Sequence, residues 1–522
     1  MDMNSLSPLA NALVNALLYA ENESHSRKIT VNSLVSKVAT WYEKLRNAMD
    51  YREEEVVLRA AIERILKRRI LLGGVGKTIS EPLVRELVWA RYFPNSLSES
   101  VIEKISEKID LYLELRGELL KKDILSENTV SEWIYHLASS DIVHVVHPNK
   151  EKEIISNFMF QIIRKSVVIT DDTDQTKDAQ VFVAVRRSFA KDDLAFLRYH
   201  LFNQFFGELQ KDNLQKIADS FMEGYKEIHY QINYPRKDRI YAYVNSKTAV
   251  FLILEDLLLM YGANITQLVK NGDEFKKAVF SACEARYSGI ADKVKRAIVR
   301  SVIFIILTKV FFAFSVEGSV ESLLYGKILW KSILVNTTIP PLLMICAGFF
   351  LKPPGKENSE RIFNYIKTVL QEENPRIGNS LEIKKTLDKS RPIQNAVFTL
   401  LWILAFILTF GIVIFILTAL QFHPISQLIF LFFLTIVSFL SYRIGLMSRV
   451  YTVDEKPGIL APVIDFFLMP IIRVGSHLTE GISQISIILF VFDFIIETPF
   501  KGLFSFFEQW FFFLHTKREE LG

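Results

Sequence analysis

Residues 396–420 read AVFTLLWILAFILTFGIVIFILTAL without one charged side chain, and residues 425–440 continue apolar up to Tyr442 and Arg443. A helix rises about 1.5 Å per residue, so roughly 20 such residues cross the hydrocarbon of a bilayer. Between the two runs lies Gln421-Phe422-His423-Pro424, whose proline stops one helix and lets the next begin. The pattern predicts a transmembrane hairpin over 396–447 and makes the chain an integral membrane protein with the bilayer as its first partner.

The rest of the chain divides in two. Residues 1–297 are rich in Lys, Arg, Glu and Asp, whereas 298–515 hold most of the long apolar runs. Forty-one phenylalanines, concentrated late, suit lipid contact and interfacial anchoring. A net charge of +4 on 522 residues is too weak for a nucleic-acid partner. Cys283 and Cys346 are the only cysteines, so no disulfide framework or zinc set can be built from them. The first residues, MDMNSLSPLANALVNALLYAENES, carry no basic leader and predict neither a signal peptide nor a transit peptide.

Length and charge extend the membrane region. Residues 298–316, with Lys309 inside, and 328–351, with Lys331 near one end, are two further candidate spans. Pro340 and Pro341 fall in the middle of the second and predict a kink or break there. Lys293, Lys295, Arg296 and Arg300 precede the first span, a connection with Glu317 and Glu321 follows it, and residues 352–395 carry nine basic side chains. Arg443 near the end of the hairpin, and Arg449 and Lys456 after it, form the next basic group. Every loop then obeys the positive-inside rule with four spans and both termini cytoplasmic. Residues 459–472 and 482–496 are short, and a neck with Arg473, His477 and Glu480 separates them; they read as a shallow hairpin, a re-entrant pair or interfacial helices. The Phe-rich segment after Pro499 reads as an interfacial helix.

In the N-terminal half, apolar residues recur at helical spacing over 53–70, 82–90, 101–120, 130–137, 194–209 and 249–261. Strand signals fall at 142–146, 167–170, 180–185 and 239–244, and the second and third flank the polar turn TDDTDQTKDA, which reads as a hairpin. Residues 359–372 predict an amphipathic helix inside the basic connection, with Ile362, Phe363, Ile366, Val369 and Leu370 on one face. The expected fold is mostly α: a large helical cytoplasmic N-terminal region with a small β element, then an α-helical membrane domain of four, or six, spans. Its parts are a helical region over 1–148, an α+β region over 149–297, spans 1 and 2 over 298–351, the connection 352–395, the hairpin 396–447 and C-terminal helices over 448–522.

Chemistry-bearing patterns are sparse. Gly73-Gly74-Val75-Gly76-Lys77-Thr78 resembles the end of the phosphate loop of the ParA/MinD ATPases. That resemblance would make Gly76, Lys77 and Thr78 nucleotide-binding, with backbone amides around the phosphates and the threonine on magnesium. Leu71 stands where the pattern needs glycine, Leu72 where the family has its signature lysine, and the preceding residues are basic and helical. The alternative is a helix C-terminal glycine turn leading into a helix capped at Ser80-Glu81-Pro82. His144 and His147, three apart on an expected strand, point to opposite faces and share no metal. The crowded Asp171, Asp172, Asp174 and Asp178 lack the glycine of a calcium loop and read as a solvated hairpin tip.

Lys309, Asn336, Pro340, Pro341, Asp465 and Asp493 lie in or beside apolar segments, where polar groups are costly and often functional. They are the candidate residues for transport. No nucleophile, metal set or cofactor fingerprint emerges, so no catalytic residue, metal or cofactor is assigned. The leading expectation is a multi-pass membrane protein whose residues 1–297 bind protein partners or scaffold a complex, and a transporter or channel is the alternative.

Overall fold

A computed structural model describes residues 6–20, 54–71, 73–90, 92, 99–312, 330–351, 353–385, 392–454, 461–483 and 510. The fold is mostly α, and contacts divide it into two units, one built on residues 1–267 and 368–385, the other on 268–367 and 386–493.

The first unit is a helical assembly of α1 (Pro8–Ala20), α2 (Glu54–Leu71), α3 (Gly76–Trp89), α4 (Glu99–Lys121), α5 (Glu127–Val146), α6 (Lys150–Ile163), α7 (Asp174–Val185), α8 (Leu194–Phe206), α9 (Leu214–Ile232) and α10 (Lys237–Tyr261). Side-chain caps set several starts: Ser126 accepts from the Thr129 amide, Asn149 from Lys152, Thr173 from Thr176, and Asp193 from Ala195 and Phe196. Each satisfies an amide that the helix itself leaves open. Ile62 and Leu66 of α2, Leu83 of α3, Leu115 of α4, Trp133 of α5, Phe202 of α8 and Phe221 of α9 share one apolar core. Trp133 meets Phe221 edge-on at 5.9 Å, the favoured approach for two rings.

Three expected strands are helical. Residues 142–146 are the last turns of α5, 180–185 the end of α7, and 239–244 the start of α10. Each is a short apolar run whose burial, not its β-branched composition, decides its state: Ile142, Val181, Val185, Ile240 and Val244 are buried. Val167–Ile169 does form a strand, β1, but it has no hairpin partner in 180–185. It pairs in parallel with β2 (Leu381–Ile383), over 200 residues later, with Val167 opposite Leu381. The acidic turn after β1 is consequently a latch: Asp171 accepts from the Lys385 amide, and Asp172 binds Lys385 Nζ at 3.1 Å and the Tyr234 hydroxyl at 3.1 Å.

The second unit holds α12 (Gly272–Phe312), α13 (Trp330–Phe350), most of α14 (Lys356–Gln371), α15 (Pro392–Ala419), α16 (Pro424–Ser448) and α17 (Ala461–Ser483), with the short α11 (Ile265–Lys270) before them. The expected hairpin is α15 and α16, with Pro424 at the first turn of α16, where its missing N–H costs nothing. The expected first span has no start of its own at 298, because one helix of 41 residues runs from the charged segment into the apolar one. Pro340 and Pro341 do not break α13. The expected neck at Arg473 and His477 is helical, because α17 runs through it to Ser483. Residues 484–509, with Asp493 and most of the Phe-rich segment, lie outside the described residues.

Helix α16 packs against α12, α13 and α17, and α15 packs on α17. The Thr409 hydroxyl of α15 donates to the Phe467 carbonyl of α17 at 3.2 Å. In α14, Ile362, Ile366, Val369 and Leu370 are buried, the expected amphipathic face.

Among the described residues, three stretches are long and apolar enough to cross a membrane: Lys237–Lys270, Ala396–Ala419 and Pro424–Ser448; Ile333–Phe349 is a shorter apolar helix. Burial separates them. The apolar window of the first is 50% buried, that of Ala396–Ala419 only 17%. Helix α10 buries Val250, Phe251, Ile253, Leu254 and Leu257 within its own unit, as a core helix does. Helix α15 instead leaves Phe398, Leu400, Ile407 and Phe415 outward, an apolar surface that is costly in water and suits lipid.

Candidate functional site

The first unit concentrates buried charge where α5, α6, α7 and α8 meet. Helix α7 ends in a π-turn, Arg186–Ala190, and Lys191 then takes the left-handed conformation (φ 61°), which turns Asp192 back so that its amide binds the Arg186 carbonyl at 3.1 Å. The Arg186 guanidinium, on a residue only 3% exposed, donates to Asp192 at 2.7 Å, to Glu153 of α6 at 2.7 Å and approaches His200 Nε2 of α8 at 2.6 Å. His144 of α5 donates from Nδ1 to the Ser140 carbonyl at 3.0 Å, which directs Nε2 toward Glu153 at 3.8 Å. Its strand placement is thus corrected to a helix, and its partner is His200, with ring centres 5.5 Å apart, not His147.

One ligand atom each from His144, Glu153 and His200 falls within 4.8 Å of the others, and two imidazoles with a carboxylate are a metal-binding set. The second nitrogen of His144 even has the backbone-carbonyl bond common in metal ligands. Yet the positive charge these groups face is already supplied by Arg186, which spans Glu153, Asp192 and His200. The cluster is complete as an ionic clamp joining four helices.

Its electrostatics follow from that. Burial raises the Glu153 carboxyl, but His144 and Arg186 outweigh it and hold the group well below the usual range. Burial and Arg186 push His200 well below an ordinary imidazole, so it stays neutral. Burial also lowers His144, but Glu153 and the Ser140 carbonyl reverse the sign and raise it. As pH falls below 6.5 the unfolded chain protonates at His200 while the folded protein resists, so stability drops. His144 acts oppositely: its contribution is full below 6.5 and is lost as pH rises through its raised value. Because buried His200 stays neutral in the folded protein, the thermal midpoint of the full chain in detergent should fall from pH 7 to pH 5, and His200→Phe should flatten or invert that slope. A midpoint that rises on acidification of the unaltered protein contradicts this assignment.

Beside the clamp opens a cleft of about 580 Å³, walled by α6, α7, α8 and α9. Phe160, Phe182 and the 43% exposed Phe205 give it aromatic surface; Gln161, Gln175 and Gln204 give it amides that both donate and accept. Phe182 links the two features, its ring centre 6.1 Å from Phe160 and 6.3 Å from His200. One wall is fixed by Gln180, which donates to the carbonyl and the side chain of Gln231, both at 2.8 Å. No local motif announces this cleft, because its lining comes from four helices spread over 75 residues between Asn157 and Gln231.

The glycine-rich loop stands apart from it. Gly73 (φ 79°) follows α2, and the Gly74 amide binds the Arg69 carbonyl at 3.1 Å. Helix α3 starts at Gly76, six residues before the expected start at Pro82, which lies inside it. The early start has a cause: Thr78 Oγ1 accepts from the Val75 amide at 2.9 Å, and the Gly76 amide donates to the Asp110 carboxylate at 2.7 Å. A carboxylate of α4 thus occupies the amide that a phosphate would need. A Cβ on Gly76 would lie 2.3 Å from the Ser106 carbonyl oxygen, so glycine is required by the α3–α4 approach, while Lys77 is exposed. Gly76→Ala should destabilise by about 1–3 kcal/mol, whereas Lys77→Ala should stay within about 0.5 kcal/mol. Thermal unfolding of both variants, with and without a nucleoside triphosphate, reads the difference.

In the second unit Lys309, 1% exposed, places its ammonium 4.2 Å from the Phe433 ring centre. The buried Asn336 donates to the Ser426 carbonyl at 3.2 Å. Ser426 and Phe433 are seven residues apart on α16, so both polar groups face one stripe of it. Pro340 and Pro341 are buried in α13, and Asp465 is exposed on α17. No known protein family, curated protein or solved structure matches this chain.

Proposed function

We propose that this is a multi-pass membrane protein whose N-terminal helical unit is a partner-binding module, with both termini cytoplasmic. The observation that carries the reading is the cleft of about 580 Å³ beside the Arg186 clamp. Its amides match the backbone of an extended peptide, Phe160, Phe182 and Phe205 suit an apolar side chain of that peptide, and Glu227 at the lining favours a basic one. The positive-inside pattern supports the topology, because the basic connection over 352–395 stays on the side of the N-terminal unit.

The test uses the full chain in its own membrane, with a photo-crosslinking residue at Gln204 in the cleft or at Lys216 outside it. A discrete polypeptide adduct at 204, absent at 216 and lost with Phe205→Glu, supports the reading. Equal labelling at both positions refutes it.

A second reading, transport, is favoured by one observation: Lys309 and Asn336 are buried toward the same stripe of α16. Asp465 and Asp493 would join them on a pathway. Single cysteines at 309, 465 and 493 decide it. Reaction of all three with an impermeant thiol reagent from the outer face supports a water-filled path, and silence at 309 removes it.

A further inference from the structure

A second feature, in the membrane unit, points to a ligand of a different kind. Two pockets adjoin where α12, α13, α14 and α16 come together, and they share Leu351, Pro353 and Ser448 in their walls. The first, about 280 Å³, is apolar, with Val294, Ile298, Ile345 and Phe349 among its lining. The second, about 450 Å³, is polar, and its charged lining is three basic residues, Lys356, Arg361 and Arg449, against one acidic, Glu357. The N-terminal turn of α14, a helix of 16 residues, forms one side of it, which adds the positive end of the helix dipole. Lys295 lines the apolar pocket and lies on the side chain-rich, basic stretch that precedes the apolar part of α12.

The polar pocket is built rather than incidental. Buried Asn358 donates to the Tyr287 hydroxyl at 2.8 Å and to the Tyr451 carbonyl at 2.6 Å, and accepts from the Val453 amide at 2.9 Å. These bonds lock the chain after α16, with Arg449, onto the start of α14. The Arg361 Nε is buried with no hydrogen-bond partner among the described residues. A guanidinium N–H withheld from both water and protein is costly unless a ligand accepts from it.

Position selects the ligand. The apolar pocket opens among Val299, Ile345 and Phe349, which are 51%, 40% and 77% exposed and suit contact with hydrocarbon. The polar pocket lies beyond the ends of α13 and α16, where apolar sequence gives way to Lys and Arg. An apolar chamber joined to a cationic one at that level has the two halves of one molecule. We infer that this double pocket binds an anionic phospholipid, its phosphodiester at Arg361, Arg449 and Lys356 and an acyl chain against Val294, Ile298 and Phe349.

The full chain, purified in detergent, is titrated separately with phosphatidylglycerol, phosphatidylcholine and inorganic phosphate, reading thermal midpoint and retained lipid by mass spectrometry. Phosphatidylglycerol should raise the midpoint and be retained, and the other two should do neither. Arg449→Gln, on an exposed residue, and Arg361→Gln should each weaken phosphatidylglycerol about tenfold. Ala291→Phe, which fills the apolar chamber, should weaken it with both arginines intact. Equal effects of the two lipids, insensitive to the arginine variants, would mean ordinary boundary lipid and overturn the inference. A midpoint rise with phosphate alone, unaffected by Ala291→Phe, would overturn it in favour of a soluble anion.

Discussion

Arg186→Ala is expected to cost about 3–5 kcal/mol, as much as truncating a large core side chain. The substitution leaves Asp192, 4% exposed, and the partly buried Glu153 without the cation that both contact at 2.7 Å. It also removes the group that bridges the end of α7 to α6 and α8, so the cleft loses the support behind Phe182. Arg186→Lys keeps the charge but not the planar fork that reaches three partners at once, and should recover only part of the loss. Thermal unfolding of the full chain in detergent measures both. A further comparison separates clamp from cleft: Phe205→Glu should abolish partner crosslinking at 204 while leaving the midpoint close to that of the unaltered protein, because Phe205 is 43% exposed. If Arg186→Ala unfolds at the same temperature as the parent, the ionic cluster does not hold these helices together.

Gly475→Leu should be the most damaging single change in the membrane unit. A Cβ on Gly475 of α17 would sit 2.1 Å from the Thr435 carbonyl oxygen and 2.9 Å from Cβ of Phe439, both on α16. Backbone blocks the way, so no rotamer relieves the clash, and the helices must separate. Overpacking of this kind costs about 1–3 kcal/mol and occasionally more. A small residue at this contact lets the two helix backbones approach closely, and that van der Waals contact favours their association. The loss should spread to α15, whose Thr409 bonds the α17 carbonyl of Phe467. Gly475→Ala should show the same direction at smaller size. A midpoint unchanged in Gly475→Leu would mean that α16 and α17 do not meet at this glycine.

Some of this architecture is legible residue by residue. The uncharged run over 396–420 and Pro424 determine the hairpin because bilayer thickness and the missing proline N–H act locally. The periodic helices over 53–70 and 101–120 match α2 and α4 within a residue or two at each end. Apolar spacing over 359–372 likewise identifies the buried face of α14. Elsewhere the deciding forces are not local. Residues 142–146, 180–185 and 239–244 look like strands by composition, yet the buried surroundings of α5, α7 and α10 make them helix. The hairpin expected around the acidic turn is replaced by pairing of Val167–Ile169 with Leu381–Ile383, a contact across a separation that no turn signal encodes.

The candidate sites divide along the same line. Lys309 and Asn336 are conspicuous in sequence because polar side chains are rare in apolar runs. The Arg186 clamp is not, since Arg186, Asp192 and Glu153 resemble any surface charges until four helices bring them together with His144 and His200. The glycine loop carries the converse lesson: its letters suggest phosphate, and Asp110, 34 residues away, occupies the Gly76 amide.

A mostly helical chain with an apolar hairpin and a charge-rich N-terminal half is thus encoded locally, because periodicity, proline chemistry and the cost of charge in hydrocarbon need no partner in space. The tertiary structure alone decided which short apolar runs are helices, what β1 pairs with, where the cleft opens and which charges are buried together. Those depend on desolvation and on contacts between residues far apart in the chain, and neither is written in any local window.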